Sequence, residues 1–143
     1  MKKLLNISFT YLLAGAAAGV FFREFTKFNG FEGATTLGLI HPHLLALGFI
    51  VFLIATLFCM QEDFTDDKLF LPFMIVYNSG LIVTAVMLFA RGITQVLATT
   101  LPMPDAAISG IAGLGHICIG VGLVLLVLMF KKVVATKAAA KNA

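Results

Sequence analysis

The sequence predicts an all-α fold, an integral membrane four-helix bundle with both termini cytoplasmic, and three observations predict it. Four apolar runs, Leu4 to Phe22, Leu37 to Met60, Leu69 to Ala90 and Ala106 to Phe130, each reach the roughly 18 to 20 residues that a helix needs to cross a hydrocarbon core. Hydrophobic residues make up 60% of the 143 and charged residues only 12%, far from the balance of a soluble domain. Charges and punctuation gather in short connections, Arg23 to Thr36, Gln61 to Lys68 and Arg91 to Asp105. Those connections leave no room for a second domain, so residues 1–143 read as a single four-helix transmembrane domain.

None of the runs alternates strictly between polar and apolar residues, and an open β edge has no place in lipid, so each run is read as a helix. In the first, Lys2 and Lys3 precede an apolar core and the small residues Ala14 to Gly19, a pattern that also fits a secretory signal. The small residues fit a helix-packing face equally well, and the segment is kept as a helix. The second run carries the sequence His41-Pro42-His43 near its start. Pro42, with no amide donor and a bias of His41 away from helical angles, is either a break between the two histidines or the first helical residue. Tyr11 in the first run and Tyr77 and Asn78 in the third are expected to bond across helices, at roughly 1 kcal/mol or less each. Gln95 and the stretch Leu101 to Asp105 are expected in a connecting loop, with Asp105 as the cap of the fourth helix.

Orientation follows from the basic residues. Lys2, Lys3, Lys131, Lys132, Lys137 and Lys141 all lie in the tails, which an even number of spans brings to one side. That side is the cytoplasm of a multi-pass protein of a bacterial cytoplasmic membrane, and the loop with Glu62, Asp63, Asp66 and Asp67 shares it. The net charge of +3 resides mostly in these tails and forms no patch that could track nucleic acid. Cys59 and Cys118 lie inside apolar runs, so neither a disulfide framework nor a zinc-type cluster is indicated.

The chemistry gathers in the three histidines. His41 and His43 near the outer end of the second helix and His116 in the outer half of the fourth fall in the same leaflet. Ionisable residues at membrane depth mark pathways, ligands or proton relays. At about 100° per residue, His41 and His43 project roughly 200° apart and point to opposite sides of their helix. His41 shares its stripe with Gly48, Phe52, Ala55 and Cys59, a small-residue face. His43 shares its stripe with Leu47, Ile50, Ile54 and Leu57, either a lipid face or the wall of an apolar cofactor pocket. His116 lies with Ser109, Ala112, Gly113 and Gly120, a face stripped of bulk that suits a flat macrocycle or close helix packing.

Haem b is the cofactor that best fits histidine ligands on apolar, small-lined helices without converging carboxylates or thiolates. A zinc or copper site asks for three or four ligands at one point, and the opposed directions of His41 and His43 count against that. The candidate cofactor and metal ligands are therefore His41, His43 and His116. Arg23 and Arg91, at the outer ends of the first and third helices, are candidate partners of the propionates.

Nearly the whole chain resembles a family of small bacterial four-helix membrane proteins of unknown function. The resemblance rests on the stretch Phe22-Arg23-Glu24-Phe25-Thr26-Lys27-Phe28-Asn29-Gly30, on His41-x-His43-Leu44, on Ile108-Ser109-Gly110-Ile111-Ala112-Gly113 and on Gly115-His116. In that family threonine often stands where Pro42 stands here. A fainter likeness covers Ile40-His41-Pro42-His43-Leu44-Leu45-Ala46-Leu47-Gly48, which resembles the haem-ligand helices of subunit I of haem-copper oxidases. By that likeness the chain equals one of three four-helix repeats arranged about a pseudo-threefold axis. His41 then matches a low-spin haem ligand, and the pair His41 and His43 resembles a doublet that serves two haems. The likeness implies a homotrimer in which His41 of one protomer and His43 of its neighbour ligate one haem b; the rival is a haem between His41 and His116 within one chain.

One chain holds three histidines in total and lacks the separate histidine set and tyrosine of an oxygen-reducing centre, so oxygen reduction is not expected. The sequence reading is a membrane haem b protein with bis-histidine ligation, for electron transfer, with quinone or another redox partner, or for redox or haem sensing. A small transporter or channel component whose histidines relay protons, or an accessory subunit in which they only pack, is the alternative.

Overall fold

The computed structural model describes residues 1–99 and 104–142. Four long helices make up the fold: α1 (Lys2–Phe28), α2 (Thr36–Gln61), α3 (Phe70–Leu97) and α4 (Asp105–Asn142). All four are long and apolar enough to cross a membrane, and residues such as Leu5, Phe9, Leu71, Ile75, Leu114 and Ile117 face outward, as the lipid-facing side of a multi-pass membrane protein would.

Each helix outruns the apolar stretch that announces it, save that α3 starts one residue late. The backbone of α1 stays helical through Arg23, Glu24 and Lys27, that of α3 through Arg91 and Gln95, and that of α4 well past Phe130. Hydropathy marks where charges begin, whereas arginine, lysine, glutamate and glutamine are good helix formers and carry the hydrogen-bond ladder onward. Gln95 is therefore helical and not part of a loop. Its Oε1 accepts from the Thr36 backbone N–H at 2.8 Å, beside bonds from the Thr35 and Thr36 hydroxyls to the Gly92 and Leu88 carbonyls. One open donor at the start of α2, the Thr36 N–H, is thus met by the end of α3, and the Leu37 N–H goes to Thr35 Oγ1. Of the expected connecting loop, Leu101 to Met103 fall outside the described residues, as does the Asp105 side chain expected as a cap.

Pro42 neither breaks α2 nor begins it. The helix opens with a 3₁₀ turn, Thr36–Leu39, runs as α-helix through Ile40–His43, widens to a π-helix over Leu44–Ile50 and returns to α-helix at Val51–Gln61. Across the wide turns the buried residues advance in fours: Ile40, Leu44, Gly48 and Phe52. Two side chains from neighbouring helices bond the carbonyls of this stretch. The Tyr77 hydroxyl donates to the Leu47 carbonyl at 2.7 Å, and the Ser8 hydroxyl donates to the Phe49 carbonyl at 2.9 Å. Backbone groups in an apolar surrounding need such partners, and π turns are found where a site is built.

The helices pack as two pairs, α1 on α2 and α3 on α4, joined chiefly through α2 and α3. Contact between α3 and α4 is backbone to backbone. A Cβ at Gly80 would lie 2.7 Å from the Gly115 carbonyl, one at Gly115 2.5 Å from Thr84 Oγ1, and one at Gly122 2.7 Å from the Tyr77 ring. Small residues at these crossings let the helices close without displaced side chains. At the end of the bundle that holds the α2–α3 connection, Phe58 stacks on Phe130 at 3.9 Å and Lys132 Nζ meets Asp67 Oδ2 at 2.6 Å. The Lys132 hydrogen bond, helped by the Leu69 N–H, holds the Asp67 carboxyl below its usual range.

Two stability predictions follow from these contacts. Gly115→Ala is expected to cost about 1 to 3 kcal/mol through the clash with Thr84, while Gly113→Ala, where a Cβ meets nothing within 4 Å, changes stability by less than about 1 kcal/mol. Unfolding in detergent checks both, and equal effects would contradict the crossing. Tyr77→Phe is expected to lower stability by about 0.5 to 1.5 kcal/mol through loss of the bond to the Leu47 carbonyl, read in the same assay.

Candidate histidine site

His41 and His43 leave α2 on opposite sides, as α-helical geometry over Ile40–His43 requires. His41 turns toward α1, where a Cβ at Gly19 would lie 3.6 Å from the His41 Cβ and 3.7 Å from its Cγ. His43 turns toward α4 and meets His116, with ring centroids 5.9 Å apart and ring planes at 87°. The pairing within the chain is thus between His43 and His116. Among the described residues the ring contact of His116 is with His43.

Both members of the pair are held in the same way. His43 Nδ1 lies 2.7 Å from the Leu39 carbonyl and His116 Nδ1 lies 2.8 Å from the Ala112 carbonyl, each one turn back along its own helix. A carbonyl can only accept, so each Nδ1 carries the proton and donates it. In a neutral imidazole held this way Nε2 is the acceptor nitrogen, the one that can bind a metal.

The surroundings differ on the two sides of the pair. His43 is half-buried, while His116 is exposed on a face of α4 where a Cβ at Gly113 or Gly120 would meet nothing within 4 Å. Along the same face, seven residues before His116, the Ser109 hydroxyl accepts from Arg91 Nη2 at 2.8 Å. At 1.5 Å per residue this brings the Arg91 guanidinium about 10 Å along α4 from His116. Arg23 lies on α1, four residues past Gly19 and thus toward the His41 side of the bundle. It is highly exposed and 3.7 Å from the neighbouring Glu24 carboxylate.

His41 lacks what the other two have. Its Nδ1 is buried and has no hydrogen-bond partner among the described residues. Among the described residues no three His, Cys, Asp or Glu side chains come together.

The Tyr77 bond to the Leu47 carbonyl and the Tyr11 bond to Asn78 are the cross-helix bonds expected of these residues, whereas the Arg91 bond to Ser109 and the π turns below His43 were not expected. The bond had a faint signal, because Ser109 shares the His116 stripe. The turns had none, since a helix apolar on all sides shows no change of phase.

No curated protein and no solved structure matches the chain. A family described as protein of unknown function (DUF2871) matches residues 1–133, a span that holds all three histidines and both arginines. The chain belongs to this family.

Proposed function

We propose that the protein is a membrane haem b protein that transfers electrons, with His43 and His116 of one chain as its axial ligands. The observation that carries this reading is the pair of imidazoles with ring centroids 5.9 Å apart, each with Nδ1 on a backbone carbonyl. The donor set fits haem on two further grounds. The face of α4 around His116 is cleared by Gly113 and Gly120, and Arg91 stands farther along the same face as a cation for a propionate. Bound between two imidazoles, haem supplies one-electron chemistry. The chain's own part is to hold the two rings in one tautomer, to keep the surroundings apolar and to offset the propionate charge.

The likeness of Ile40 to Gly48 to the haem-ligand helices of haem-copper oxidases supports haem as the cofactor, but it implies His41 as a ligand where the proposed pair is His43 and His116. In the ring form of this proposal, a homotrimer covers the exposed face of His116. The lysines of the two tails support cytoplasmic termini and a bacterial cytoplasmic membrane.

An absorbance spectrum of the detergent-purified protein tests the proposal. Sharp α and β bands on reduction are expected. His43→Ala and His116→Ala should each lose them while keeping native helicity and elution volume, and His41→Ala should keep them. Arg91→Gln should lower haem affinity by roughly ten-fold. Folded protein that stays colourless with added haem would favour the other reading, histidines that relay protons or only pack. Bands lost in His41→Ala and kept in His116→Ala would move the ligand pair to the boundary between protomers.

A further inference from the structure

On the other side of α2 from His43, α1 and α3 diverge and leave a cavity of about 390 Å³, within the usual size of small-molecule sites. Leu44 of α2 forms its back, and the small side chains of Ala14 and Ala85 line its sides. Almost all of the lining is apolar, with three exceptions: Thr10, Tyr11 and Asn78.

The polar groups form a defined set. Tyr11 packs over Gly48, where a Cβ would lie 2.4 Å from the tyrosine Cγ, and its hydroxyl donates to Asn78 Oδ1 at 2.8 Å. One Asn78 Nδ2 hydrogen goes to the Met74 carbonyl at 2.7 Å, and the amide has a second. Thr10 donates to the Asn6 carbonyl at 2.9 Å and keeps lone pairs on its oxygen, as Tyr11 does. The cavity therefore offers one amide donor and two hydroxyl acceptors within hydrocarbon walls. An acyl chain makes no use of the second Asn78 amide hydrogen or of the hydroxyl lone pairs. A ring whose oxygens accept hydrogen bonds in one redox state and donate them in the other uses both kinds.

We propose that this cavity binds the head group of a prenylated quinone, with Asn78 Nδ2 donating to a quinone carbonyl oxygen and Thr10 or Tyr11 accepting from the quinol hydroxyl. The isoprenoid tail leaves between α1 and α3 into the lipid. The choice of a quinone rests on the electron-transfer reading, since Leu44 follows His43 in the chain and sets the cavity about one helix diameter, roughly 10 Å, from the imidazole pair.

Equilibrium dialysis of the full-length protein in lipid nanodiscs against radiolabelled ubiquinone-1 and menaquinone-1 tests this. Saturable binding of one quinone per chain is expected. Asn78→Leu should weaken it at least ten-fold, and Ala85→Phe, which fills the cavity, should abolish it, with helicity and elution volume unchanged in both. His43→Ala should bind quinone as the unsubstituted chain does, whatever its haem content, so a failure of the haem reading and a failure of this one are told apart. Absence of saturable binding, binding unmoved by Ala85→Phe, or full displacement by decanol would overturn the proposal; the last would mark the cavity as a seat for acyl chains.

Discussion

The close approach of α3 and α4 at Gly80, Gly115 and Gly122 is the constraint on which the histidine pair depends. A side chain at any of these positions would meet the facing helix at under 3 Å: backbone at Gly80, the Thr84 hydroxyl at Gly115 and the Tyr77 ring at Gly122. His116 follows Gly115 directly, so the depth and rotation of its imidazole are set by that crossing. Thr84, fully buried and packed on Gly115, fixes the same point from α3. Where no hydrophobic force separates helix surface from solvent, close packing and hydrogen bonds decide the arrangement, and small residues make both available.

The second half of the site is set by α2, whose wide turns begin at the residue after His43. Tyr77 and Ser8 reach across from α3 and α1 to the carbonyls of these turns, which ties the helix to both neighbours. Above the π stretch the helix is α-helical, and there the two histidines diverge. One side of α2 thus faces α4 with a prepared imidazole pair. Its other side holds His41 against α1 and, next to it, Leu44 at the back of the polar-tipped cavity.

Much of this was legible in the residues and some was not. The four helices and the divergence of His41 from His43 follow from run length and from α-helical geometry, both local properties. Helix ends were misplaced because Arg23, Arg91 and Lys131 end an apolar run without ending a helix. Pro42 suggested a break, but a proline can stand inside a helix when side chains and altered turns satisfy the neighbouring backbone. The partner of His116 was not legible, since it depends on how α3 and α4 cross, and many glycines in a helix do not say which of them touch. Gly113 and Gly120 were read as one smooth face with His116, and a Cβ there does meet open space. Gly115, the glycine that packs, stood outside that stripe.

The central claim is that His43 and His116 of one chain share one metal ion with their ring planes nearly perpendicular. Electron paramagnetic resonance of the oxidised, haem-loaded protein tests it most directly. The account predicts a low-spin ferric signal of the strongly anisotropic kind that near-perpendicular imidazole planes give, lost in His116→Ala. A high-spin signal, or a low-spin signal that persists in His116→Ala, would contradict it.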